Sequence, residues 1–323
     1  MAFDEGPSPE GPAQPNQQDF TVSWTGLVSR TFTLWGRKLA QYIAIVGLPI
    51  IIIAAIQAVF IWYFIGVVGL ETFSAAPTSP FSLITELLGY SGAATNITYI
   101  AVELGVSIIS MVVFAFVAGA CIKLALDNYG TPDKGTVGES MSTAVGKIAP
   151  LIVVQLITGG ILILLELPGL FMMSSILIID PTDIIALQSM LGTLLMGMVL
   201  MYAGLIVGLY VTVRLAVAPA LVIAEDKGAI GALKQSFSMA GGHFWHIFAG
   251  QFLLGIVVGI VSIVIGAFGL AFLVTGITMT AIIGIVVFAM IAQLLTSPLS
   301  YIFGAVLYRD LTSRAAIAGQ EWW

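Results

Sequence analysis

The sequence predicts an all-α polytopic membrane protein with six transmembrane helices plus interfacial amphipathic helices. Three observations predict it. The 323 residues are 59% hydrophobic and only 9% charged, against roughly 25% charged in a soluble domain. Six apolar runs reach the roughly 20 residues that a helix needs to cross the hydrocarbon core. All 11 Lys and Arg residues fall at alternate ends of successive runs, which is the positive-inside pattern without exception.

Taken in order, residues 1–19 are acidic and rich in Pro, Gly and Gln. They have neither the basic n-region nor the apolar h-region of a signal peptide and are expected to form a disordered inner tail. Residues 20–312 make the six-span membrane domain, and 313–323 an inner C-terminal tail. The spans are placed near 41–69, 98–125, 148–175, 187–213, 244–273 and 278–308. The outer loops are then 70–97, 176–186 and a very short one near Gly276. In the first of these, residues 81–88 suit a short helix lying on the outer surface. Asn96-Ile97-Thr98 is a glycosylation sequon on that side, set almost against the second span. Glu71, Glu86, Glu103, Glu166, Asp180 and Asp183 face outward with no basic residue to balance them. Both termini face the cytoplasm of a cell (plasma) membrane in this reading.

The inner segments carry an internal pattern. Gly135, Ser140, Ser142, Ala144 and Gly146 match Gly231, Ser236, Ser238, Ala240 and Gly242 at equal spacing. Val137, Met141 and Ala144 correspond to Leu233, Phe237 and Ala240. Spacings of four and three put each set on one helix face. A looser copy precedes the first span, with Trp24, Val28, Phe32 and Trp35 on a common face. The chain therefore reads as three helix-plus-hairpin repeats, each opening on an amphipathic helix in the headgroup plane. Those six apolar residues form the candidate interfacial or partner surface. Arg37, Lys38, Lys147 and Arg214 are the candidate inner anchors. The alternative reading of the amphipathic helices is that they only connect.

Chemistry is excluded largely by count. Cys121 is the only cysteine, so no intrachain disulfide and no thiolate metal site is available. His243 and His246 have the spacing of one helix face, but no third ligand follows them. No nucleophile elbow, phosphate loop or dinucleotide fingerprint is present with its flanks. Neither a catalytic site, a cofactor nor a metal is expected. The net charge of −6 argues against nucleic acid. Breaks at Pro49, Pro168, Pro219 and Pro298, with Gln57, Gln155, Gln251 and Gln293 in the spans, are what a transport path would use. They equally suit helix packing. Gly204-x-x-x-Gly208 and Gly255-x-x-x-Gly259 suit either contact inside one bundle or a homo-oligomer seam.

One stretch resembles a known family. Residues 214–228 run from Arg214 through Pro219 to Glu225 and Gly228. Ala232, Leu233 and Ser236 follow, and then Gly242, Phe244 and Trp245; Glu166-Leu167-Pro168-Gly169 lies in the third span. Together these resemble the membrane domain that accompanies some glycerophosphodiester phosphodiesterases, and its stand-alone bacterial and archaeal relatives. The resemblance covers roughly residues 135–260. It implies a helical membrane module of unsettled role without phosphodiesterase activity, because the catalytic barrel of those enzymes is a separate soluble domain.

The sequence thus points to a non-enzymatic integral membrane module, a scaffold or accessory protein acting through membrane lipids or a protein partner in the membrane. The alternative is a transporter or permease for an apolar or amphipathic substrate. The charge pattern makes a direct topology prediction. Thiol-reactive tags introduced at residues 75, 183 and 276 should react with a membrane-impermeant reagent from the outside only, and reaction of any one from the inside would overturn the assignment.

Overall fold

A computed structural model describes residues 20–68, 93–130, 134–174, 184–272 and 279–317. Among these residues there are helices and no strands. The α-helices are α1 (Trp24–Arg37), α2 (Leu39–Val68), α3 (Ala93–Asp127), α4 (Val137–Gly146), α5 (Ile148–Ser174), α6 (Ile184–Arg214), α7 (Ala218–Ala224), α8 (Ala229–Met239), α9 (Phe244–Leu270) and α10 (Met279–Ile317). Six of them, α2, α3, α5, α6, α9 and α10, are long and apolar enough to cross a membrane. Their outer faces leave large apolar side chains uncovered, among them Leu164, Phe171, Ile206 and Ile263, the last two 66% and 72% exposed. Apolar surface on that scale needs hydrocarbon rather than water around it, and a helix is the element whose backbone is satisfied there. The chain is a multi-pass integral membrane protein.

Five of the six long helices end within a few residues of the predicted spans. The sixth does not. It was expected to stop near 308, yet α10 continues to Ile317, so residues 313–317 are helix rather than tail. The reason is burial: Leu311 and Ala315 remain inside, and Asp310 binds Arg314 one turn on. Pro49, Pro168 and Pro298 lie inside α2, α5 and α10, each at the loss of one backbone hydrogen bond. Pro219 is different. It opens the short helix α7, where a missing N–H costs nothing. Helix α7 was not anticipated from the sequence, and five of its seven residues are buried. The tails 1–19 and 318–323, the outer segment 81–88 and the turn at Gly276 lie outside the described residues. Asn96 falls in the first turns of α3.

The order short helix, long helix, long helix occurs three times, as α1–α2–α3, α4–α5–α6 and α8–α9–α10. The junctions differ. Lys38 and Lys147 each interrupt the helix for one residue, whereas Gly241–His243 form a 3-10 turn. Capping explains two of the starts. Ser23 accepts the Gly26 N–H at 3.1 Å to begin α1. Thr136 accepts the Glu139 N–H to begin α4 and donates its hydroxyl to the Glu139 carboxylate, an N-cap with the residue spacing of a capping box.

The short helices dock on the bundle. Helix α1 packs on α9 and α10, α4 on α3, and α8 on α7, α5 and α6. The inward face of α1 is Leu27, Val28, Thr31 and Leu34; of the expected stripe, Val28 is buried, Phe32 and Trp35 pack partly buried beside it, and Trp24 is exposed. Leu27 reaches the gap left by Gly250 of α9, beside Phe303 of α10. Ala144 and Leu151 fill the gap at Gly119 of α3 in the same manner. Helix α3 is central, with 44% of its span buried, against 11% for α5 and for α9. The core gathers towards the end of the bundle where the basic residues lie, hereafter the basic end.

A glycine seam closes the hairpin of α5 and α6. Gly169 sits where a Cβ would lie 2.7 Å from the Met201 nitrogen, and a Cβ on Gly204 would collide with the Leu165 carbonyl. Gly208 faces Leu162. The Gly204/Gly208 pair is therefore an α5–α6 contact within one bundle. A Cβ on Gly255 or Gly259 would meet nothing within 4 Å, so that pair makes no close helix contact inside the bundle. Gly204→Ala should accordingly lower stability by about 1–3 kcal/mol, the usual cost of overpacking. Gly255→Ala should be neutral or slightly stabilising. Thermal unfolding of the purified protein in detergent, followed by loss of the monodisperse species, separates the two.

Candidate functional site

Polar side chains have few places to go in a membrane bundle, and here they condense at the basic end. The densest group centres on Asp310, which has no solvent exposure. The Val22 N–H donates to its Oδ1 at 2.8 Å. His246 Nε2 donates to its Oδ2 at 2.9 Å, and Arg314 Nε bridges both oxygens at 3.1 and 3.0 Å. Arg314 also donates through Nη2 to the Val22 carbonyl at 2.6 Å. One carboxylate thus ties the segment before α1 to α9 and α10, with partners on both oxygens as a buried charge requires.

The same N-terminal segment is held on its other side. Phe20 meets Tyr129 edge-on, with centroids 5.0 Å apart. The Arg309 guanidinium lies over Phe20 and that of Arg30 over Tyr129, at 6.0 and 5.3 Å. Burial pushes the Tyr129 phenol above its ordinary range, with the Arg30 charge opposing.

A second group surrounds the turn after α7. Glu225 accepts from the Tyr308 hydroxyl at 3.0 Å and from Gln235 Nε2 at 3.2 Å, and pairs with Lys227 at 3.2 Å. Lys227 also donates to the Gln235 carbonyl oxygen. Asp226 takes a left-handed backbone, φ 55°, which Asp tolerates better than most residues. Its carboxylate receives Lys147 from the α4–α5 junction. This turn joins α4, α7, α8 and α10.

A third group lies at the corner of α6, α8 and α9. Arg214 ends α6, its guanidinium 4.0 Å from the Phe237 ring centroid and 5.5 Å from that of Tyr210. The Ser236 hydroxyl donates to the Arg214 carbonyl at 3.0 Å. Nη1 occupies the space that a Cβ on Gly241 would need.

The structure distributes the sequence-derived candidates unevenly. Ala144, Leu233 and Ala240 are buried, and Val137 and Met141 pack partly buried against the core. Of the six residues in the predicted partner surface, only Phe237 stays exposed. The apolar faces of α4 and α8 are taken up by the bundle itself. Among the anchors, Lys147 and Arg214 have the contacts above, Lys38 caps α1, and Arg37 is exposed. His243 and His246 do not form a ligand pair, because His243 is in the 3-10 turn and His246 faces Asp310. Among the described residues no group of three His, Cys, Asp or Glu is placed to hold a metal. Glu166 is half-buried in α5.

Inside the spans, a cleft of about 120 Å³ opens between α2, α3 and α10. It is lined by apolar side chains, including Ile50, Ile53, Phe114 and Met290, and by one polar group, Gln293. Gln155 and Gln251 are half-buried in their helices; the Gln57 side chain lies outside the described residues.

Sequence reasoning missed the Asp310 group. Its signal was present: an Asp and an Arg four apart near the end of an apolar run satisfy each other on one helix face. It was obscured by ending the span at 308. The partners His246 and Val22 were not legible, since they lie 64 and 288 residues away. Comparison with known proteins adds no lineage, for no family model, curated protein or solved structure matches the chain.

Removing the Asp310 carboxylate should release the N-terminal segment. Asp310→Ala leaves Arg314 and His246 without their acceptor at a buried position, at a cost of about 3–5 kcal/mol. Limited proteolysis should then cut near residues 20–23 where the wild type resists. Unchanged protection would show that Phe20 and Tyr129 hold the segment alone.

Proposed function

We propose that this protein is a non-enzymatic membrane module that works through contacts with lipids or with a protein partner at its basic end. One observation carries the reading. After the short helices have docked, the basic rim still presents large apolar side chains outward: Trp24, Ile230, Phe237 and Trp245, the last 75% exposed. Side chains of that type at the ends of spans suit the interface between headgroups and hydrocarbon. The ion pairs and hydrogen bonds beneath them are engaged within the fold, which suits a rigid platform better than a site of chemistry. With the positive-inside rule, this rim faces the cytoplasm of a cell membrane, and both termini lie there. The resemblance to the membrane domain associated with glycerophosphodiester phosphodiesterases agrees with a module of this kind.

A second reading has its own observation. The cleft between α2, α3 and α10, with Gln293 as its polar group, is placed within the spans, where a transporter for an apolar or amphipathic substrate would bind it. One purification tests both. The protein extracted from native membranes should carry a stoichiometric protein or lipid, and Phe237→Glu with Trp245→Glu should strip it off. A bare protein that gives saturable flux in vesicles, reduced by Gln293→Leu, would overturn the module reading in favour of transport.

A further inference from the structure

We infer that the corner of α6, α8 and α9 is a binding site for one anionic phospholipid, with Arg214 receiving the headgroup phosphate and the aromatic face of α9 receiving an acyl chain. The inference rests on the module reading and names the ligand and place of its lipid contact. Arg214 is the starting point. Among the described residues no carboxylate lies within 4 Å of its guanidinium, whereas Lys147, Lys227 and Arg314 each have one; of the other arginines without one, Arg37 is exposed and Arg30 and Arg309 each lie over a single ring. Its charge is instead held against two rings, Phe237 at 4.0 Å and Tyr210 at 5.5 Å. Such stacking orients a guanidinium and leaves its donors for a ligand. Its Nε is buried and has no partner. Lys234 is exposed one turn before Phe237 on α8 and adds to the positive field.

The rest of the corner fits the apolar part of the same molecule. Tyr210 meets Phe244 at 5.4 Å, and Phe244, Phe248 and Phe252 then stack along α9 at 6.1 and 5.8 Å. Trp245 packs edge-on against Phe244 and Phe248 and is 75% exposed. The ladder descends from the basic end into the span, and Phe252 is 60% exposed. A cation at the head and a strip of rings below it match a phosphate ester joined to an acyl chain. A free anion would use only the first, and a hydrocarbon only the second.

The test uses the full chain in phosphatidylcholine vesicles containing a minor fraction of brominated lipid, with Trp245 fluorescence isolated as the difference between wild type and Trp245→Phe. Brominated phosphatidylglycerol should quench Trp245 more effectively than brominated phosphatidylcholine by about fivefold, the effect of one Arg at an anionic surface. Arg214→Gln should bring the ratio to one, while Arg37→Gln, at an exposed cation outside this corner, should leave it unchanged. Equal quenching by the two lipids in the wild type would overturn the site, and it decides the matter even if Arg214→Gln fails to fold. Equal loss in Arg37→Gln would overturn it in favour of diffuse surface charge. Displacement by millimolar inorganic phosphate would overturn it in favour of a free-anion site. A lipid-indifferent protein that still copurifies with a partner would remove this site and leave the module reading. Saturable substrate flux would remove the module reading while the quenching ratio still reports on the site.

Discussion

A carboxylate without access to water joins the segment before α1 to α10. Asp310 lies on the last helix, and its acceptors are filled by the backbone of Val22, by His246 and by Arg314. In hydrocarbon or a packed core an unpaired charge is too costly to persist, so each partner must be present for the others to be tolerable. The consequence is topological. The segment before α1 is drawn across the basic end to α9 and α10, and α1 can settle its inner face over Gly250. First and last units are thereby closed on one another.

The rest of the architecture follows from where polar groups can be satisfied. Deep in the bundle the helices meet through small residues, with Gly169 and Gly204 letting α5 and α6 approach backbone to backbone. Water gives no driving force there, so packing and close approach hold the hairpins. At the basic end the chemistry changes. Glu225, Asp226, Lys227 and Lys147 tie the turn after α7 to three other elements, and the core is correspondingly dense. The opposite half of the bundle exposes its apolar faces, as a structure solvated by lipid should.

That asymmetry bears on function. The short amphipathic helices resemble free interfacial helices by composition, yet their inner faces are consumed by the fold. What remains outward is a rim of rings, with the Arg214 guanidinium among them and no carboxylate paired to it. Arg30 and Arg309 each lie over one ring, whereas Arg214 lies over two, which hold its charge without neutralising it. A rigid platform with such a rim is suited to contact with headgroups and neighbouring chains.

Hydrophobic run length and one-sided charge were local properties, so six spans and the ends of five of them were legible from the residues alone. Repeated Ser and Ala positions were legible too, and Ser140, Ser236, Ala144 and Ala240 are all buried. Which way those faces turn was not legible, because an apolar stripe looks the same against lipid as against α3. Helix α7 escaped notice for a related reason: seven residues are too few for periodicity to speak. Its burial depends on helices distant in the chain. The pairing of Asp310 with Val22, and the separation of Gly204 in a seam from Gly255 in the open, depended on tertiary structure alone. The sequence determined that this chain lives in a bilayer and where its charges lie, since those follow from residue-by-residue transfer energies. Only the tertiary structure decided which polar groups satisfy one another and which are left for a ligand, since that depends on contacts between residues far apart in the chain.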